Sequence, residues 1–291
     1  MQRVGIVDLG SNTSRLVVYG FEPGAHFRLL DEIREPVRLG EGLATSGRLS
    51  PGAMERGLAA LRLYADYARA ASLDEVEVIA TSAVRDATNR QEFLDLARES
   101  GLPIRVLEGE DEAAYGVLAV ANSLSLDHAW VMDLGGGSAQ LSRMRERRHA
   151  GGRAYPLGAV RLTEAFLRGD PPKASEVTAL ERTAAFEMGP ALRAMREDGL
   201  PLVAMGGTLR NLARAVQKAS GYPLDLLHGY RLRRTDLESL VEKLLSRRGK
   251  DRAAIGGIHP DRADVILAGA LVYRLVLREA GLDGVTVSGQ G

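Results

Sequence analysis

Short apolar runs along this chain alternate with longer segments in which apolar residues recur every three or four positions. The runs Arg3 to Val7, Arg15 to Tyr19 and Phe27 to Ile33 have the length and composition of strands. A helix is predicted to begin at Ser50-Pro51, because serine is favoured at the cap and proline at the first helical position. The alternation of strands and helices predicts an α/β layer structure.

The remaining elements follow the same two periods. Asn89 is predicted to cap the helix that precedes Gly101, and residues 36–49 are glycine-rich and predicted to form a loop. Further strands are predicted at residues 77–80, 104–107, 130–132, 140–143, 202–204 and 285–287, and further helices near residues 108–122, 158–168, 175–198, 208–219, 235–247 and 261–281.

Three small-residue turns follow apolar strands. They are Asp8-Leu-Gly-Ser-Asn-Thr-Ser14, Asp133-Leu-Gly-Gly-Gly-Ser-Ala139 and Met205-Gly-Gly-Thr-Leu209. The recurrence of Asp-Leu-Gly suggests an internal duplication with a phosphate-lined cleft between two halves. We therefore predict two domains, residues 1–124 and 125–291.

Turns of this composition can direct backbone N–H groups and short polar side chains at one anion. Asp8 would repel a bound phosphate unless a cation stood between them, and this favours Mg²⁺. For each of the three turns, the alternative is a tight turn that only packing requires.

Five motifs together resemble the exopolyphosphatase / guanosine pentaphosphate phosphatase family, within the superfamily of actin, sugar kinases and heat-shock chaperone ATPases. They are Asp8 to Leu16, Ala80 to Asn89, Gly109 to Ala113, Asp133 to Ser138 and Gly206 to Thr208, in the family's order and spacing. Weaker similarity continues through residues 227–230 and 262–269. The resemblance implies two ribonuclease-H-like (actin-like ATPase) domains with an interdomain cleft.

The resemblance also implies roles for individual residues. Glu112 matches the family's catalytic glutamate, and Arg85 matches an arginine that binds phosphate oxygens. Asp8, Asp133 and Gln140 are the expected ligands of Mg²⁺, with other divalent cations as alternatives. The expected substrate-binding residues are Ser11, Asn12, Thr13, Arg15, Gly135, Gly136, Gly137, Ser138, Gly206, Gly207 and Thr208.

Simpler interpretations exist for several of these residues. The acids around Glu112 also suit a helix N-terminus, where they complement the helix dipole. Arg85 could pair with Asp86 on the surface, and Arg15 could point to solvent. Gln140 stands where the family usually has a glutamate, which places metal affinity in doubt. The basic sets 143–149, 210–218 and 231–234 could follow a polyanion or form solvated faces.

The function expected from the resemblance is hydrolysis of the terminal phosphoanhydride bond of inorganic polyphosphate, releasing orthophosphate. Guanosine pentaphosphate or tetraphosphate as ligand, with 5'-phosphohydrolase activity on the former, is the first alternative. A sensor that binds alarmones or polyphosphate without catalysis is the second. A sugar kinase and a chaperone ATPase are disfavoured by the motif around Arg85 and by the chain length, respectively.

The composition of the chain limits how it could hold an anion or a metal. The 291 residues include 38 Lys+Arg and 38 Asp+Glu, so an anion must be held by local geometry and not by net charge. There is no cysteine and hence no thiolate metal site. A cytoplasmic protein is expected, with no nucleic-acid or membrane partner and with a homodimer left open. The chain stops at Gly291, before the closing segment usual in the family.

Overall fold

The computed structural model describes residues 1–290, which fold as two compact units, residues 1–108 and 109–290. The elements of the first unit are β1 Gln2–Leu9, β2 Ser14–Glu22, β3 His26–Glu35, α1 Leu43–Ser46, α2 Pro51–Ala70, β4 Glu75–Ala80, α3 Ser82–Asp86, α4 Arg90–Ala97, a 3₁₀ turn Arg98–Ser100 and β5 Ile104–Val106.

The first unit is built on one five-stranded sheet in the order β3-β2-β1-β4-β5. The strands β1, β2 and β3 pair antiparallel, whereas β1, β4 and β5 run parallel. The buried side chains of β1, Val7 and Leu9, join Leu61, Tyr64 and Phe93 of the helices in one core. Strand β1 is the central strand of this sheet, and the first small-residue turn follows it at its carboxyl end.

Two capping predictions in this unit have different outcomes. The Ser50 hydroxyl accepts a hydrogen bond from the Ala53 N–H at 3.2 Å, which confirms the cap of α2. Asn89 occupies the N-cap position of α4, as predicted, but its side chain makes no capping hydrogen bond there. Asn89 instead accepts from the Leu49 N–H at 2.8 Å and donates to the Leu49 carbonyl at 3.1 Å. The buried Asn89 side chain thus pairs with both backbone polar groups of Leu49, as a neighbouring strand would.

The second unit holds more helix. Its elements are α5 Gly109–Ser123, β6 Ala129–Leu134, β7 Ala139–Arg145, β8 Arg148–Tyr155, α6 Ala159–Phe166, α7 Ala174–Asp198, β9 Leu202–Met205, α8 Gly207–Ala219, β10 Arg231–Arg233, α9 Arg234–Leu245, 3₁₀ turns Gly249–Ala254 and Pro260–Arg262, α10 Ile266–Glu279 and β11 Gly284–Val287.

The sheet of the second unit repeats the topology of the first. Its order is β10-β11-β9-β6-β7-β8. The antiparallel set β6, β7, β8 corresponds to β1, β2, β3, and the parallel strands β9 and β11 occupy the places of β4 and β5. This confirms the predicted duplication of a ribonuclease-H-like fold, with β10 added at one edge.

Helices cover the second sheet on both faces. One face packs on α6 to α10, and α10 is buried on every side from Ile266 to Leu277. On the other face, Val117 and Val120 of α5 pack in one cluster with Met205 of strand β9. Helix α5 therefore belongs to the second compact unit. The boundary predicted near residue 124 lies at the opposite end of this helix and stays a prediction.

The remaining differences from the predicted elements are local. The loop 36–49 contains the one-turn helix α1, and the helix predicted at 261–281 begins at Ile266 after a 3₁₀ turn. Strand β10 was not predicted, because its one apolar residue is Leu232 between arginines. Among residues 1–290, no helix combines the length and apolar character needed to cross a membrane.

The Asn89 contact predicts a measurable asymmetry between two loop substitutions. Asn89→Ala leaves a buried N–H and a carbonyl of Leu49 without partners and should lower the free energy of unfolding by about 2 to 4 kcal/mol. Ser50→Ala removes only the cap of α2 and should cost about 1 kcal/mol. Urea denaturation followed by far-UV circular dichroism measures both, and equal losses would contradict the bridging role of Asn89.

Candidate active site

The first small-residue turn joins β1 to β2 and is held from behind by its carbonyl groups. The Ser11 carbonyl accepts from the Gly40 N–H at 2.7 Å, and the Asn12 carbonyl accepts from the Arg38 N–H at 3.0 Å. In a planar trans peptide the C=O and the following N–H point in opposite directions. The N–H groups of Asn12 and Thr13 therefore point away from the supporting loop, as an anion-binding turn requires.

Side chains reinforce this turn. The Ser11 and Ser82 hydroxyls are hydrogen-bonded at 3.0 Å, and both are buried. Because Ser82 begins α3, this bond ties the first turn to the motif that carries Arg85. Beneath the sheet, burial raises the pKa of Tyr64 to about 12, so its phenol stays protonated.

Asp8 and Arg15 are directly opposite each other in the β1–β2 pairing. Opposite residues of an antiparallel pair have their side chains on the same face. Arg15 also lies 3.8 Å from the Glu32 carboxylate, between Nη1 and Oε1. Arg15 is thus part of a charged group on the sheet, and its position beside Asp8 supplies positive charge where the sequence predicted a metal ligand.

Arg85 is positioned by contacts on two sides. Its Nη1 donates to the Leu107 carbonyl at 2.7 Å, and its Nε lies 3.6 Å from Asp86 Oδ1. The pair with Asp86 exists, but the Arg85 side chain is only 14% exposed and is not a solvated surface arginine. A guanidinium fixed in this way keeps its remaining N–H groups in a defined orientation.

The second turn joins β6 to β7 and is supported in the same manner. The Gly135 N–H donates to the Ser138 carbonyl at 3.0 Å. The Gly135 carbonyl accepts from Ala159 N–H at 2.9 Å, and the Gly136 carbonyl accepts from Val160 N–H at 2.8 Å. These N–H groups belong to the first turn of α6, which would otherwise lack acceptors.

Two residues that the sequence did not single out complete this support. Arg161 donates from Nε to the Gly137 carbonyl at 2.9 Å. With the three glycine carbonyls all turned toward α6, the N–H groups of the next three residues, Gly136 to Ser138, point the other way. Gly158 allows the approach, since a Cβ there would overlap the backbone of the glycine turn. The only sequence signal was Gly-Ala-Val-Arg at a helix start.

Glu112, Gln140 and Ser138 form one hydrogen-bonded group. The Gln140 amide nitrogen donates to Glu112 Oε2 by a short contact and to the Ser138 hydroxyl at 2.9 Å. Gln140 and Ser138 are buried, and Glu112 is half-buried, whereas Glu110 and Asp111 beside it are exposed. The acidic first turn of α5 thus has two solvated members and one that is held at the glycine turn.

Asp133 lies against the third turn. It is paired with Gln140 across β6 and β7, so the two side chains share one face of the sheet. A Cβ on Gly206 would be 2.6 Å from Asp133 Oδ1, and Gly206 has a φ of 92°. Both the space and the backbone angle therefore require glycine at this position.

The other residues of the third turn make structural contacts. A Cβ on Gly207 would overlap the Arg262 guanidinium, so the arginine lies directly on this turn. Thr208 is fully buried with its methyl group against Gly269 of α10. The Tyr273 hydroxyl donates to the Met205 carbonyl at 3.3 Å, and burial raises the pKa of Tyr273, which keeps this donor protonated.

The oxygen donors of the second unit fit a magnesium ion of the substrate-bridged type. Mg²⁺ is commonly held by one or two carboxylates together with substrate phosphates and waters. Asp133 and Glu112 supply two carboxylates around Gln140. Among residues 1–290, no group of three acidic, histidine or cysteine side chains could hold a metal alone. Gln140 is neutral at the position where a third carboxylate would complete such a group.

The support of the glycine turn predicts a contrast between two glycine substitutions. Gly158→Ala should lower the free energy of unfolding by about 1 to 3 kcal/mol, because its Cβ overlaps the backbone of Gly136 and Gly137. Gly135→Ala is the control, since its Cβ would meet only the Ser138 carbonyl at 3.5 Å. Urea unfolding monitored by Trp130, the single tryptophan, compares them. A stable Gly158→Ala variant would contradict the close approach.

Comparison with known proteins gives a consistent family. The Ppx/GppA phosphatase family matches residues 17–291. The chain is 34% identical to "Exopolyphosphatase 2" of Mycobacterium tuberculosis, covering 99% of this chain and 95% of the relative, and 32% identical to "Exopolyphosphatase 1" of Mycobacterium bovis, covering 98% and 84%.

Solved structures agree with this. The Ppx/GppA family member of Aquifex aeolicus has a TM-score of 0.78 at 28% identity, covering 100% of this chain and 94% of that one. An exopolyphosphatase from Cytophaga hutchinsonii has a TM-score of 0.91 at 24% identity, covering 100% and 95%, and supports the fold alone. From the motifs, the duplicated fold and the full-length matches, we conclude that this chain belongs to the Ppx/GppA phosphatase family.

Proposed function

We propose that this protein is an exopolyphosphatase, which hydrolyses the terminal phosphoanhydride bond of inorganic polyphosphate and releases orthophosphate. The observation that carries the proposal is the Glu112 carboxylate, which the Gln140 amide holds beside Ser138 at the end of the glycine turn. The exopolyphosphatase relatives support the substrate class, since they match this chain over almost its entire length.

Phosphate oxygens are bound mainly by backbone N–H groups in this proposal. In the second unit these donors belong to Gly136, Gly137 and Ser138, and in the first unit to Asn12 and Thr13. The donors are fixed before substrate arrives, because the carbonyl of each preceding peptide is already paired. We assign Arg85 to the oxygens of the transferred phosphoryl group, where a fixed guanidinium stabilises developing negative charge.

Glu112 is the proposed general base. Hydrolysis of a phosphoanhydride needs a positioned water and a carboxylate that orients it and accepts its proton. An ionised carboxylate only accepts hydrogen bonds, so Gln140 turns its NH₂ group toward Glu112 and fixes one carboxylate oxygen. The second oxygen then has a set direction for the water. Gln140 is therefore proposed as a positioning residue for the base.

In the second unit Asp133, with Gln140 beside it, would hold Mg²⁺; Asp8 remains a predicted ligand in the first. The bound cation would neutralise charge on the phosphate oxygens. Ser11, Arg15, Gly206, Gly207 and Thr208 keep their predicted roles in substrate binding as proposals. The contacts described above position these residues or show their packing. The cytoplasmic location and a homodimer also stay predictions.

Guanosine pentaphosphate is the second candidate substrate. The family description names Ppx and GppA together, and the Arg262 guanidinium against Gly207 adds a cation to the third turn. An arginine at this position suits a charged substrate of either kind. The rates of orthophosphate release from polyphosphate and from guanosine pentaphosphate separate the two substrates.

Orthophosphate release tests the proposed reaction. The wild-type protein should release orthophosphate from long-chain polyphosphate in the presence of Mg²⁺, and faster than from guanosine pentaphosphate or ATP. Glu112→Gln should reduce kcat by about 100-fold or more, because it removes the general base but keeps the side-chain volume. Glu110→Gln is the matched control, since Glu110 is exposed in the same helical turn and should retain activity.

The possible results test the substrate and the general base separately. Faster release from guanosine pentaphosphate would leave Glu112 as the proposed base but make guanosine pentaphosphate the substrate. Equal loss in the Glu110 and Glu112 variants would contradict the assignment of the base. Binding of polyphosphate without release of phosphate would contradict the enzyme proposal.

The neutral side chain of Gln140 predicts weak metal binding that one substitution should strengthen. Gln140→Glu places a third carboxylate beside Glu112 and Asp133, so Mg²⁺ affinity without substrate should rise about tenfold. Isothermal titration calorimetry with Mg²⁺ measures this, with Gln140→Leu as the control that adds no charge. The same variant should be less stable than wild type without Mg²⁺, because the new carboxylate repels Glu112. Unchanged Mg²⁺ affinity in Gln140→Glu would contradict the placement of the metal.

A further inference from the structure

A cavity of about 420 Å³ lies between α8 and α9 in the second unit. Val216 and Leu240, both buried, line it from the two helices, and strand β10 forms one side. Its volume is in the range of cavities that bind small organic ligands. Nothing in the proposed hydrolysis of polyphosphate uses this cavity.

The cavity is separate from the third small-residue turn. That turn is at the amino end of α8, whereas the helix residues that line the cavity run from Ala215 to Ser220. At 1.5 Å per residue, Thr208 and Ser220 are about 18 Å apart along the helix axis. A ligand in the cavity would therefore occupy a different place from a phosphate at Gly206 and Gly207.

Two tyrosines form an aromatic wall of the cavity. Tyr222 and Tyr230 contact edge to face, with ring centroids 5.1 Å apart and an interplanar angle of 69°. Backbone hydrogen bonds hold both residues: Tyr222 N–H donates to Gln217 at 2.9 Å and Tyr230 N–H donates to Leu227 at 3.0 Å. Tyr222 remains 42% exposed as a residue, which leaves aromatic surface available to a second ring.

Positive charge lines the same cavity. Arg231, Arg233 and Lys243 are part of its wall, together with Asp236. Asp236 forms a two-point ion pair with Arg233 at 2.8 and 3.2 Å, so these two charges offset each other. Within residues 1–290, Arg231 and Lys243 form no ion pair, and each adds one positive charge. The cavity thus has a net charge of about +2 in a chain of zero net charge.

We propose that this cavity is a nucleotide site, in which the base packs on Tyr222 and Tyr230 and the phosphates are bound by Arg231 and Lys243. A flat aromatic ring joined to an anion matches the two kinds of surface that the cavity offers. Inorganic polyphosphate matches only the cations and leaves the rings unused. The basic run 231–234, which the sequence left open between a polyanion track and a solvated face, acquires a specific role at this site.

Binding of ADP tests the proposal in the full-length protein. Isothermal titration calorimetry should detect ADP binding, with adenosine and pyrophosphate binding at least about tenfold more weakly, because each offers one half of the recognition. Tyr222→Ala and Lys243→Ala should each weaken ADP binding about tenfold. Phe186→Ala and Arg193→Ala are matched controls, an exposed aromatic and an exposed cation of α7, and should bind ADP as wild type does.

Two further measurements identify the site. Photolabelling with 8-azido-ADP should modify residues 215–243, and excess unlabelled ADP should remove the label. Polyphosphate hydrolysis without nucleotide should be unchanged in Tyr222→Ala. Pyrophosphate that binds as tightly as ADP would overturn the role of the rings. Labelling confined to residues 109–144, or ADP binding that survives Tyr222→Ala and Lys243→Ala, would overturn the site itself.

Discussion

The structure of the candidate site depends on how the carbonyl groups of its turns are paired. In the β1–β2 turn the Ser11 and Asn12 carbonyls accept from the loop that follows β3, and in the β6–β7 turn the glycine carbonyls accept from α6 and Arg161. Peptide planarity then directs the opposite N–H groups outward. In the proposed reaction an anion would meet donors that already have their final direction, so little reorganisation would be needed as charge develops. The duplicated fold supplies this arrangement twice.

In the second unit, two carboxylates of the candidate site lie on either side of one neutral amide. Glu112 is held by Gln140, and Asp133 is opposite Gln140 on the sheet. A neutral amide between two carboxylates reduces their repulsion and orients one of them, which a third carboxylate could do only with a cation bound. The departure from the family's usual glutamate is thus compatible with the proposed mechanism, in which Gln140 positions the base.

Much of the fold and several site residues followed from sequence. The apolar runs predicted β1, β6 and β9, and the turns after them were found at those strand ends. Residues whose roles depend on distant contacts were missed. Gly158 and Arg161 support a turn more than 20 positions earlier, and Asn89 bonds Leu49 instead of its own helix. Local propensity contains no information on such partners, so only the folded chain reveals them.

The most direct test of the account is hydrolysis of polyphosphate in water enriched in ¹⁸O, with the released orthophosphate analysed by mass spectrometry. Attack by a water that Glu112 activates on the terminal phosphoryl group predicts one ¹⁸O atom in each orthophosphate released, and the remaining chains should shorten from the end. Release of orthophosphate without ¹⁸O, or of long internal fragments, would contradict a terminal hydrolase that uses this site.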